Sequence, residues 1–120
     1  MELNFRTHGL TGYLRFGPPD VEGWMRCDVF AQVPGITADY RCSIQRPELN
    51  HFRDQLAASV EDHREVTFDA IELGIKLKLI INDMGHMRGE YEFRSDPTGP
   101  CLNGSFDADQ TFLRQWLSEV

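Results

Sequence analysis

Apolar and polar residues alternate with a period of two along most of this chain, and only two stretches depart to a helical period. Glu2 to Thr7 and Thr11 to Phe16 read as short strands around His8-Gly9-Leu10, with Leu3, Phe5 and Tyr13 among polar neighbours. Residues 17–23 hold two prolines and two glycines and read as a loop. From Trp24 to Val33, the residues Met25, Cys27, Val29, Ala31 and Val33 fall on one face, opposite Arg26, Asp28, Phe30 and Gln32. Pro34-Gly35 supplies a turn, and Ile36, Ala38, Tyr40, Cys42 and Ile44 then alternate with polar residues.

The period changes after Gln45. Pro47 suits a first helical position, and Leu49, Phe52, Leu56 and Val60 follow at spacings of three and four, which predicts an amphipathic helix ending near Asp62 or His63. Its opposite face carries His51, Asp54, Ala58, Glu61 and Asp62. Arg64 to Ala70 returns to strand with Val66 and Phe68 inward. Glu72 to Arg94 then reads as a hairpin about the turn Asn82-Asp83-Met84-Gly85. Leu77, Leu79, Ile81, Tyr91 and Phe93 form its apolar face; Lys76, Lys78, Glu90 and Glu92 form the charged one, placed for cross-strand pairing. After a loop, Cys101 to Phe106 gives a last strand. Asp107 is placed as an N-cap, with Gln110 three residues on, for a C-terminal helix striped by Phe112, Leu113, Trp116, Leu117 and Val120. The pattern predicts a single α+β domain over residues 1–120. It is a single, mostly antiparallel sheet of about seven or eight strands, with one central helix on one face and a second helix at the C-terminus.

Composition narrows the function classes. A chain of 120 residues with 41% hydrophobic residues has enough material for one core. No apolar run reaches the length of a membrane span, and the N-terminus lacks the basic and apolar regions of a signal peptide. The three cysteines, Cys27, Cys42 and Cys101, are an odd number without CxxC spacing, which predicts reduced thiols and a cytoplasmic setting. Cys27 and Cys42 fall on the inferred buried face as small core side chains. The net charge is −7, with basic residues scattered singly among acids. That disfavours direct nucleic-acid binding and suits either solubility or a basic protein partner.

Catalytic chemistry finds no constellation. His8, His51, His63 and His86 are dispersed, with neither a His-x-x-x-His pair nor a nearby cysteine pair, so no metal or cofactor is expected. Asp83 and His86 flank the hairpin turn, where a turn-stabilising contact is the simpler role. Cys101 lacks the flanking signature of a nucleophile. Asp69 and Glu72 lie close in an acidic chain without marking a carboxylate pair. Trp24, Phe30 and Tyr40 could stack bases, but without clustered cations they read as core residues. The expectation is a protein that is not an enzyme.

The order of elements carries more information than any residue. Two N-terminal strands, a loop ending in Trp24, two long strands and a Leu/Phe helix precede Val66-x-Phe68 and Glu72-Leu73-x-Ile75-x-Leu77-x-Leu79. Gly85-His86-Met87, Leu102-x-Gly104-x-Phe106 and Asp109-Gln110-Thr111-Phe112-Leu113 follow. Over nearly the whole chain this resembles the small bacterial WapI-like immunity proteins. The resemblance implies the antitoxin half of a contact-dependent polymorphic toxin system: a protein that binds a cognate toxin domain in the cytoplasm and occludes its active site. A nuclease toxin would be basic. The acidic helix face and its flank, Asp54, Glu61, Asp62 and Glu65, are the candidate contact residues. The alternative is a small-molecule or peptide binding module using a cleft between helix and sheet.

Overall fold

The computed structural model describes residues 1–70, 74–96, 98–109 and 111–120. In chain order they form β1 (Glu2–Arg6), β2 (Thr11–Phe16), β3 (Trp24–Val33), β4 (Ile36–Gln45), α1 (Arg46–Asp62), β5 (Val66–Asp69), β6 (Ile75–Ile81), β7 (His86–Arg94), β8 (Cys101–Asp109) and α2 (Thr111–Glu119). Glu72, Leu73 and Gln110, which the sequence pattern used at the hairpin start and the last cap, lie outside the described residues.

The fold is α+β with antiparallel strands. They form two four-stranded sheets, ordered β1-β2-β3-β4 and β5-β6-β7-β8, where the sequence pattern suggested one sheet. Each strand pairs with its neighbour in sequence, and α1 separates the two runs. It leaves β4 directly at Arg46, so the chain departs from the first sheet's edge before β5 begins. Alternation specifies which face a residue takes, not which sheet a strand joins.

The apolar faces of both sheets and both helices share one core. Leu3, Cys27, Ile44, Leu56, Val66, Leu79, Leu113 and Trp116 are all fully buried. Phe5 of β1 bridges the layers, its ring 6.1 Å from Phe93, 5.9 Å from Phe106 and 5.5 Å from Trp116. Aromatic rings prefer tilted, edge-on or offset contacts of this kind to a face-to-face sandwich. Two glycines make room for rings. Phe106 lies over Gly89 opposite it on β7, and Tyr91 lies over Gly104 on β8.

Backbone capping explains the helix boundaries. The Gln45 N–H donates to the Glu48 carboxylate at 3.0 Å, and Pro47 occupies the first turn, where its missing N–H is harmless. His63 ends α1 in the left-handed region at φ 51°, its N–H donating to Ser59 O. Asp109, not Asp107, opens α2: its carboxylate accepts from the Thr111 N–H at 2.9 Å and from the Thr111 hydroxyl. Asp107 and Asp109 both lie in β8, opposite Arg88 and His86, and it is Asp109, the last residue of the strand, that reaches the start of α2.

The helices also close sheet edges. On the edge strand β5, the Gln55 amide donates to Thr67 O at 2.8 Å and accepts from Thr67 N–H at 2.9 Å, standing in for a neighbouring strand. On β1, the Trp116 indole N–H donates to Asn4 O at 2.7 Å. Unpaired edges invite association, and side chains of this kind remove that risk locally.

Candidate functional site

The predicted contact residues lie on α1 and the short segment after it. Asp54, Glu61, Asp62 and Glu65 are all exposed. Asp54 and Glu61 are seven residues apart, two helical turns, and so share one stripe. That stripe faces away from Leu49, Phe52 and Leu56, which are buried against the core. Phe52 meets Phe68 edge-on at 5.0 Å, fixing α1 on β5 and thereby the orientation of the acidic face.

The four carboxylates are not equivalent. Asp62 pairs with Arg64 at 3.2 Å and Glu65 with Lys78 at 3.6 Å, both on the surface. Among the described residues no ion pair forms at Asp54 or Glu61. The acid-rich surface is thus partly compensated at its β5 end and uncompensated along the helix. Exposed pairs contribute little to stability, so all four carboxylates are available to a partner at small cost.

The junction of α1 with the second sheet is filled. Leu49, Phe52 and Leu56 are at most 3% exposed there, which leaves that seam packed rather than open as a ligand cleft. Concave regions lie elsewhere. An open depression of about 540 Å³ runs over the charged outer face of the second sheet, lined by Lys76, Lys78, Arg88, Glu90, Glu92 and Asn103. The register sets Lys76 opposite Glu92 and Lys78 opposite Glu90, as the alternation predicts, while the ion pairs on this face join Lys78 to Glu65 and Arg88 to Glu90.

Residues singled out for chemistry are dispersed or structural. Asn82, not an Asp83–His86 contact, holds the central turn: its side-chain oxygen accepts from Met84 and His86 N–H groups, both at 3.0 Å. Gly85, at φ 81°, completes that turn. Cys27 and Cys42 are directly opposed and not joined by a disulfide; the thiol of Cys27 is pushed far up by its hydrogen bond with Cys42 and by burial. Both favour the neutral thiol, so nucleophilic character is suppressed. Tyr40 is likewise pushed up, by burial first, and its hydroxyl donates to Gly74 O and accepts from Arg94 N–H, joining the two sheets. Among the described residues no group of three or more His, Cys, Asp or Glu is arranged to hold a metal ion. No helix is long and apolar enough to cross a membrane.

One feature differs from the expectation for the aromatics. Trp24 and Phe30 are half-buried on the outer face of the first sheet, whereas only Tyr40 turns inward. Phe30 stacks on Tyr13 with ring centres 5.6 Å apart, and the Arg15 guanidinium sits 4.3 Å over the Tyr13 ring. Nearby, Arg26 and Arg41 both bond Asp28 at 3.0 Å and hold its carboxyl below the usual range. Pairing of β3 with β2 and β4 sets Arg15 and Arg41 opposite Asp28, beside Arg26 of β3 itself. Placing Trp24, Arg26, Asp28 and Phe30 on one face by alternation was the signal for this surface.

No curated protein matches the sequence. The family model described as "Immunity protein WapI-like family" matches residues 6–120, from the end of β1 through α2. The match spans both sheets and both helices, so the chain belongs to the WapI-like immunity protein family.

Proposed function

We propose that this protein is a non-enzymatic immunity protein of the bacterial cytoplasm that binds a cognate toxin domain and covers its active site. The observation that carries the reading is membership of the immunity family over nearly the whole chain. The exposed carboxylates Asp54, Glu61, Asp62 and Glu65 form the contact surface in this reading, opposite a basic, phosphate-gripping cleft such as a nuclease presents. The net charge of −7 supports it, because an acidic inhibitor is drawn to a basic enzyme over distance before any contact forms. The same sign of charge works against binding nucleic acid directly.

The test is association kinetics with the toxin domain encoded beside this protein. Asp54→Lys combined with Glu61→Lys should slow association roughly tenfold at low salt, as expected when rim charges steer an encounter. The difference should shrink as salt is raised, and the melting temperature should not move, since neither carboxylate forms an ion pair among the described residues. Equal association rates for the variant and the wild type would place the contact surface elsewhere.

A further inference from the structure

The first sheet ends in β4, a ten-residue edge strand, Ile36–Gln45. The edges of β1 and β5 carry the helix side chains Trp116 and Gln55 on their backbones. Among the described residues, nothing comparable bonds the outward edge of β4 between Thr37 and Ser43.

The phase of that edge follows from β3. Gly17 N–H donates to Arg26 O at 2.8 Å and the Thr11 hydroxyl to Gln32 O at 3.4 Å, so the even-numbered carbonyls of β3 turn toward β2. Its odd-numbered residues therefore bond β4, opposite Ile36, Ala38, Tyr40 and Cys42. Thr37, Asp39, Arg41 and Ser43 are left with N–H and C=O groups directed outward, and all four are exposed.

Around Tyr40 this strand is chemically self-complementary. Reading outward in both directions gives Asp39 with Arg41, Ala38 with Cys42, Thr37 with Ser43, and Ile36 with Ile44. We propose that two copies of this chain associate by pairing their β4 strands antiparallel about Tyr40, setting Asp39 of each copy opposite Arg41 of the other. The two first sheets then become one continuous sheet across a two-fold axis. Only this register suits both backbone and charge. A shift of one residue sets outward-directed groups against inward-directed ones. A shift of two brings Asp39 against Asp39 or Arg41 against Arg41. The hydrogen-bonded pairs are Thr37 with Ser43 and Asp39 with Arg41, each in both directions, and each such pair exchanges two bonds. Arg41 keeps Asp28 as a neighbour and is 61% exposed, which leaves guanidinium donors for the second carboxylate. Ile36, 56% exposed in the single chain, gains cover along the inner row. The other open edge, β8, offers no such match: its charged residues, Asp107 and Asp109, are both acids, so self-pairing there has no cation to draw on.

The test is mass by light scattering and sedimentation equilibrium over a wide concentration range. Wild type should dimerise. Asp39→Arg and Arg41→Asp should each raise the dimer dissociation constant roughly 100-fold, since two opposite-charge pairs become two like-charge pairs. Mixing those two variants in equal amounts should restore a dimer, now between unlike copies, because each Arg again meets an Asp. Thr37→Pro removes an outward N–H without touching the β3 ladder and should weaken dimerisation by itself. Circular dichroism confirms that each variant is folded. A wild type that stays monomeric throughout would overturn the proposal. So would a dimer indifferent to both Asp39→Arg and Thr37→Pro, or a mixture of the two charge variants that stays monomeric.

Discussion

Replacing Gly89 by alanine tests how tightly the aromatic core is packed. A Cβ at Gly89 would lie 2.1 Å from Phe106 Cζ and 2.3 Å from Cε1, whereas carbon atoms rest about 3.5–4 Å apart. The ring would have to retreat, yet it is walled in by Phe5 at 5.9 Å and by Tyr91 and Trp116, both at 6.3 Å. Nor is the backbone free to yield. Gly89 pairs with Leu79 on one side and Phe106 on the other, so moving it strains two ladders. Overpacking a filled core costs about 1–3 kcal/mol, and this contact belongs at the upper end. Alanine recovers about 0.5–1 kcal/mol through its smaller loss of backbone entropy in a strand, leaving a net loss of about 2 kcal/mol. The decisive comparison is a double-mutant cycle by equilibrium urea unfolding. In a Phe106→Leu background the ring that the new methyl strikes is gone, so Gly89→Ala should cost little or turn favourable, a coupling of about 2 kcal/mol. An equal cost in both backgrounds, or a Gly89→Ala variant as stable as wild type, would refute the account of the ring over the glycine.

Gln55→Ala should lower stability by about 1 kcal/mol and, more tellingly, speed hydrogen exchange at the Thr67 amide; an unchanged Thr67 rate would show that the α1 side chain does not close this edge. Asp28, Asp96 and Asp109 are held below the usual carboxylate range, chiefly by bonds from Arg26, the Thr98 N–H and the Thr111 hydroxyl respectively. A carboxylate with a depressed folded-state pKa contributes stability above its unfolded pKa of about 3.9, and that stability is lost as pH falls through the lower folded value. Melting temperature should therefore drop below about pH 4, and less steeply in Asp28→Asn; a flat profile, or identical profiles for variant and wild type, would contradict the assignment.

Most strands were legible because their inward and outward residues differ so sharply in polarity. β3 and β4 begin and end where the alternation does, and Pro34-Gly35 marks their turn. α1 was legible from Leu49, Phe52 and Leu56, although Ser59 rather than Val60 is the buried residue of its last turn, with its hydroxyl bonded to Leu56 O at 2.9 Å. The division into two sheets was not legible, since period two gives the face of a residue and is silent on its partners. The sequence pattern puts the cap of α2 at Asp107 because it ends the last strand at Phe106, whereas β8 runs on through Asp109, whose carboxylate bonds Thr111. At the candidate site, the exposure of Asp54 and Glu61 followed from helical spacing, but the pairing of Glu65 with Lys78 depends on a contact between α1's flank and β6. The Arg-flanked aromatic face of the first sheet depends on strand pairing in the same way: Tyr13 and Arg15 of β2 meet Phe30 of β3, and Arg41 of β4 meets Asp28 of β3, only across strands distant in sequence.

Toxin neutralisation is open to a direct test by co-expression. The toxin domain encoded next to this protein should arrest growth when expressed alone. Expression together should restore growth, and the two proteins should co-purify at low salt. Continued growth arrest despite abundant, folded protein, with no complex recovered, would contradict the immunity function.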